Sequence, residues 1–126
     1  MRRPVDAGRY CGNRRIHTRA QTPSTNFRSI NNAATAPPDI VQQGKALYHK
    51  YCVACHCKGV MSGGTLPDLR YTQMRDVWDQ VVLEGLLTSR GMVSFDQVLR
   101  KEDARAIQSY VIARALLDKA YLEQVH

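Results

Sequence analysis

The pattern Cys-x-x-Cys-His at residues 52–56 constrains this chain more than any other feature of its sequence. Two cysteines three positions apart lie on adjacent corners of one helical turn, and the histidine follows the second one directly. This spacing allows both thiols to form thioethers with the vinyl groups of one porphyrin while the imidazole ligates its iron. The motif therefore predicts a single covalent haem c, attached through Cys52 and Cys55 and ligated by His56.

A structural zinc site and a redox dithiol are the alternatives for the same residues. His49 and Cys57 would complete a four-ligand zinc set with the two motif cysteines. A zinc ribbon, however, usually takes its second pair of ligands from a distant knuckle, and Cys11 is the one other cysteine in the sequence. A thioredoxin-type dithiol belongs in a βαβ setting, and the sequence shows no convincing strand pattern. Haem attachment is therefore the favoured interpretation.

The net charge of +7 is concentrated in residues 1–38, which hold seven arginines and one acid. This segment has no helical or alternating period, which predicts a basic, disordered leader or linker ahead of one domain at 39–126. A basic segment without a folded nucleic-acid-binding domain is a poor binding module, so no nucleic-acid partner is expected. No apolar run approaches the ~20 residues of a transmembrane helix. No transmembrane segment is therefore expected.

Haem c attachment implies export from the cytoplasm, but the first residues of the chain do not have the pattern of a signal peptide. Arg2 and Arg3 resemble a charged signal-peptide start, but no apolar stretch follows them. We expect a periplasmic protein. We interpret the chain as the end of a longer exported polypeptide, or as a mis-started version of one.

Apolar periodicity predicts an all-α domain of three to four helices wrapped around the haem. The helices are expected at about 40–55, 73–84 and 102–117 or beyond, with a glycine-rich loop over 58–71. Asp39 is predicted to cap the first helix, and Gly85 to end the second.

Met92 is the best candidate for the second iron ligand. It lies in the loop between the second and third predicted helices, where Gly91 lets the backbone approach a bound group. Met61 follows His56 by too few residues to reach the other haem face. Met74 falls on the apolar face of a helix and is interpreted as a core residue.

Six stretches of the domain resemble class I cytochrome c, and in particular the C-terminal cytochrome domain of PQQ-dependent (quinohaemoprotein) alcohol dehydrogenases. They are residues 44–48, 51–56, 66–70, 81–85, 91–95 and 102–111. The combination of Leu-Pro-Asp-Leu-Arg at 66–70 with Gly-Met-Val-Ser-Phe at 91–95 is what indicates the fused dehydrogenase domain.

The resemblance implies roles for several further residues. The Pro67 carbonyl would accept a hydrogen bond from the second ring nitrogen of His56, and Arg70 would pair with a haem propionate. Trp78 and Leu86 would wall the haem crevice. Gly44 and Tyr48 would lie where the first helix crosses the last, against Ile107 and Tyr110. The family usually has glycine after the histidine, and Cys57 in that place is expected to remain a free cysteine.

Six-coordinate iron leaves no open site for oxygen or substrate, so one-electron transfer is expected and no catalysis from this chain alone. The resemblance implies a PQQ dehydrogenase domain as the electron donor and a redox protein or quinone as the acceptor. A free-standing periplasmic carrier remains an alternative. So does a five-coordinate haem sensor or enzyme, if Met92 does not ligate, and so does a structural zinc domain.

Overall fold

The computed structural model describes residues 36–61, 66 and 68–125. These residues form helices and turns and contain no β-strand, which confirms the predicted all-α class. Within these ranges, four α-helices follow in order: α1 (Pro38–Tyr51), α2 (Val53–His56), α3 (Trp78–Val82) and α4 (Lys101–Val125). Short 3₁₀ turns connect them at Lys58–Val60, Leu69–Tyr71, Arg75–Val77 and Thr88–Arg90. The predicted segment 1–38 lies almost wholly outside the described residues, so the proposed domain division stays a prediction.

Helix α1 differs from its prediction at both ends. It begins at Pro38, whose fixed φ suits the first turn, with Pro37 at the capping position. Asp39 lies in that first turn without a capping hydrogen bond, so its predicted role as N-cap is wrong. The expected single helix over 40–55 is interrupted at Cys52, where φ opens to −109°. Helical hydrogen bonding nevertheless continues through this residue, because its carbonyl accepts from the His56 amide at 2.8 Å.

Helices α1 and α4 cross at Gly44, as predicted. Gly44 is buried, and a Cβ atom there would overlap the carbonyl group of Ala106 on α4. One turn later Tyr48 is fully buried, with its ring centroid 5.4 Å from that of Tyr110. The absence of a side chain at Gly44 therefore lets the two backbones touch.

The second predicted helix is shorter than its apolar period suggested. The Arg75–Val77 turn leads into α3, which ends at Val82. Gly85 follows in the left-handed region at φ 76° and so belongs to the turn after the helix. The Trp78 indole N–H donates to the Ala104 carbonyl at 2.9 Å, which joins α3 to α4.

Helix α4 starts with a hydrogen bond from its own first turn. Asp103 accepts from the Arg100 backbone N–H at 2.9 Å, so the helix needs no capping side chain at Arg100. It continues to Val125, eight residues past the predicted Leu117. None of the helices in the described ranges combines the length and apolar character needed to cross a membrane.

The larger of two hydrophobic clusters among the described residues lies between these helices. Its buried members come from α1, α3, α4 and the intervening turns: Tyr48, Val60, Trp78, Val82, Leu99, Ala104, Ile107, Tyr110 and Val111. The core therefore joins the crossing helices to the segments on either side of the Cys-x-x-Cys-His motif.

Replacing Gly44 with alanine should destabilise the fold, because a methyl group there meets backbone that cannot turn aside. We expect the free energy of unfolding to fall by about 3 kcal/mol, the upper end of the usual cost of overpacking. Urea unfolding followed by circular dichroism measures the change. Gln43→Ala, an exposed change in the same helix, should alter stability by less than about 0.5 kcal/mol. Equal stability of the two variants would contradict the crossing.

Candidate functional site

Cys52 is the N-cap of α2, and Cys55 lies within that single helical turn. Cys52 is half-buried and Cys55 is exposed, and both are free thiols. Burial, followed by the neighbouring Cys55, raises the pKa of the Cys52 thiol to about 12. Both thiols are thus available for bond formation, and Cys52 is protonated at neutral pH.

His56, the last residue of α2, is half-buried, and its Nδ1 is fully buried without a hydrogen-bond partner. Burial lowers the pKa of its imidazole, so the ring is neutral at pH 7, as iron ligation requires. Pro67, the predicted partner of this nitrogen, lies outside the described residues, and the hydrogen bond stays a prediction.

Tyr48 fixes the backbone directly after the iron-ligand candidate. Its hydroxyl donates to the Cys57 carbonyl at 2.6 Å and contacts the His56 carbonyl at 3.0 Å. Burial raises the pKa of this phenol, so it stays a donor at any physiological pH. Sequence reasoning placed Tyr48 at the helix crossing and missed this second role, because a fixed spacing does not show which way a hydroxyl points.

Cys57 has φ 68° and ψ 158°, a backbone conformation that is close to glycine-only. This conformation explains why the related family favours glycine after the histidine. Cys57 is also buried and disulfide-bonded, so the expectation of a free cysteine is wrong. No group of three or more His, Cys, Asp or Glu side chains within the described ranges is arranged to hold a metal ion. The zinc set of His49 with the three cysteines is therefore not assembled.

Met92 is half-buried and packs against the same core cluster as Cys52. Two hydrogen bonds connect its loop to the end of α3. The Phe95 N–H donates to the Val82 carbonyl at 2.8 Å, and the Ser94 hydroxyl donates to the Leu83 carbonyl. The thioether is thus held on a fixed loop beside the motif's own core. Its assignment as the second iron ligand stays a prediction.

The predicted crevice walls differ in exposure. Trp78 is buried and packs within the core, whereas the Leu86 side chain is 54% exposed. Leu86 lies in the turn between α3 and the Met92 loop. Both roles at the haem stay predictions.

Arg70 lies in a buried ion-pair network. Its guanidinium donates to both carboxylate oxygens of Asp68, at 3.0 and 2.7 Å, and pairs with Asp118 of α4 at 2.9 Å. The Tyr71 hydroxyl bonds the second oxygen of Asp118. Burial alone would lower the pKa of Arg70, but the Asp68 hydrogen bonds and both carboxylate charges outweigh burial and raise it. The predicted propionate contact of Arg70 stays a prediction.

The chemistry of this donor set fits a c-type haem. Two free thiols stand three positions apart, a neutral imidazole follows with an unpartnered ring nitrogen, and a half-buried thioether packs on the same core. The thiols would bind the porphyrin, and the imidazole and thioether would hold its iron.

Replacing Tyr48 with phenylalanine should leave the buried carbonyls of His56 and Cys57 without their donor. We expect the unfolding free energy to fall by about 1–3 kcal/mol, the cost of stranding buried polar groups. Chemical denaturation measures it. Tyr110→Phe is the matched control, since it removes the same atom from the adjacent ring and no described hydrogen bond involves that hydroxyl. Similar losses in both variants would contradict the role of Tyr48.

Comparison with known proteins agrees with this geometry. Residues 39–111 match the family described as cytochrome c oxidase, cbb3-type, subunit III. The chain is 44% identical over 91 residues to the quinohemoprotein alcohol dehydrogenase ADH IIB of Pseudomonas putida, covering 71% of this chain and 13% of that protein. It is 33% identical over 103 residues to the dehydrogenase subunit of the quinone alcohol dehydrogenase of Acetobacter aceti, covering 77% and 14%.

The chain thus spans about a seventh of the length of these curated relatives. The matched region contains the Cys-x-x-Cys-His motif, the Met92 loop and most of the helix crossing. Both the class I cytochrome fold and the resemblance to the cytochrome domain of quinohaemoprotein alcohol dehydrogenases are confirmed. The chain belongs to this family of cytochrome c domains.

Proposed function

We propose that the chain transfers single electrons through one haem c bound at Cys52 and Cys55, with iron ligated by His56 and Met92. The observation that supports this most is the pair of free thiols followed by a neutral, half-buried imidazole. A bound haem c would supply reversible one-electron chemistry.

The protein's own residues control the setting of that chemistry. Tyr48 holds the backbone after His56, and the hydrogen bonds of Ser94 and Phe95 hold the loop that carries Met92. His56 and Met92 would together hold the iron and leave it no open position, so the fold would bind and orient the group and exclude competing ligands. A thioether ligand in apolar surroundings favours the reduced state.

The names of the relatives support a proposal for the electron donor. They are quinohaemoprotein and quinone alcohol dehydrogenases, of which this chain matches a small part. We place the domain in the periplasm, where it accepts electrons from a quinone-dependent alcohol dehydrogenase and passes them to a redox protein or quinone.

Expression with haem-maturation machinery tests the site. The product should be red, keep its haem after denaturation, and show the sharp reduced α band of six-coordinate low-spin iron. Met92→Ala should convert it to a five-coordinate form that binds carbon monoxide readily. Met74 is exposed and precedes the turn Arg75–Val77, so its prediction as a core residue on a helix is wrong. Met74→Ala should therefore leave the spectrum unaltered. A colourless product with stoichiometric zinc would overturn haem binding. An unchanged Met92→Ala spectrum would overturn the axial ligand.

Mixing the oxidised holoprotein with an alcohol-reduced quinone dehydrogenase tests the donor. We expect the α band to appear at a rate that depends on the dehydrogenase concentration, and not with alcohol alone. A soluble cytochrome c from an unrelated source serves as the comparison electron acceptor. If the dehydrogenase reduced that comparison cytochrome faster than this domain, the domain would be a general electron carrier and not a dedicated partner of the dehydrogenase.

A further inference from the structure

Arg75 is half-buried, and two nitrogens of its guanidinium are shielded from water. It opens the turn Arg75–Val77, which precedes α3, and its carbonyl accepts from the Gln108 side chain of α4 at 3.0 Å. Its Nη2 donates to the Arg70 carbonyl at 3.2 Å. The backbone and one end of the guanidinium are therefore held in place.

The rest of the guanidinium is unsatisfied. Nε and Nη1 of Arg75 are fully buried without a hydrogen-bond partner, and no carboxylate among the described residues pairs with them. Within the described ranges, the buried side-chain nitrogens and oxygens in this condition belong to two residues, Arg75 and the haem-ligand candidate His56. An arginine cannot lose its proton to avoid the cost of burial, so an anion beside these two nitrogens would be strongly stabilising.

The adjacent acids are already engaged. Asp68 and Asp118 both bind Arg70, and the pKa of Arg70 is raised in their company, whereas burial with no opposing carboxylate lowers that of Arg75. The two arginines therefore differ in one respect: Arg70 has its carboxylates, and Arg75 has none. An anion that satisfied Arg75 would therefore come from outside the described side chains.

A haem c brings two propionate carboxylates, whose planar geometry matches the forked donors of arginine. We propose that Arg75, rather than Arg70, is the residue that binds a haem propionate in this domain. The inference rests on the proposed function, since it requires that haem is bound. Arg70 then serves the fold by tying the turn Leu69–Tyr71 to α4.

The test compares haem-loaded wild type with Arg75→Gln, Arg75→Lys and Arg105→Gln. Arg105 is exposed on α4 and controls for the loss of one positive charge. Removing the cation leaves the propionate charge uncompensated, which favours ferric iron. We expect Arg75→Gln to lower the midpoint potential, Arg75→Lys to restore most of the shift, and Arg105→Gln to leave it near the wild-type value.

Infrared redox-difference spectra of protein carrying ¹³C-propionate haem identify the partner directly. The labelled carboxylate band should move in Arg75→Lys, a variant that keeps the positive charge, and should stay in place in Arg105→Gln. An unmoved band, or equal potentials in Arg75→Gln and Arg105→Gln, would overturn the assignment of Arg75. Wild type without covalent haem would instead overturn the proposed function, so the two failures are distinguishable.

Discussion

The close approach of α1 and α4 at Gly44 is the contact on which the rest of the domain depends. Because a Cβ there would overlap the Ala106 carbonyl, the helices can sit this near only with glycine at the crossing. The approach buries Tyr48 completely and so directs its hydroxyl to the backbone after His56. The position of the iron-ligand candidate is thus set by a helix contact twelve residues earlier in the chain.

Charge burial organises the opposite part of the domain. The Asp68–Arg70–Asp118 network joins the segment after the motif to α4 by interactions that are nearly removed from water. Such a network is stable only when each charge has a partner, since an unpaired buried ion carries a large desolvation cost. In the neighbouring Arg75, two guanidinium nitrogens are buried without a hydrogen-bond partner, and no described carboxylate pairs with them.

Sequence reasoning succeeded where local chemistry dominates. The Cys-x-x-Cys-His spacing, the glycine at the helix crossing and the apolar period of α4 are each readable from a short window of residues. It failed where the outcome depends on distant partners. The break at Cys52 and the early end of α3 leave no trace in hydrophobic periodicity. Asp39 has the right residue type for a cap but lies two residues after the N-cap position, which Pro37 occupies.

The same limit applies to the site. Arg70 and Arg75 look alike as isolated arginines, and only the fold reveals that Asp118, nearly fifty residues downstream, reaches one of them. Cys57 likewise has a positive φ and a disulfide bond, neither of which can be predicted from its neighbours in the sequence. Features of this kind become visible when the packing around a side chain is known.

The Gly44–Ala106 contact also bears on how the chain finds its fold. It joins segments from opposite ends of the domain, so forming it means closing a long loop against a conformational entropy that grows with loop length. A haem attached at residues 52–56 and also ligated by Met92 would divide the chain between Gly44 and Ala106 into shorter loops. Cofactor insertion would then act as a cross-link that biases the unfolded ensemble toward the native topology, beyond any contribution to the finished core.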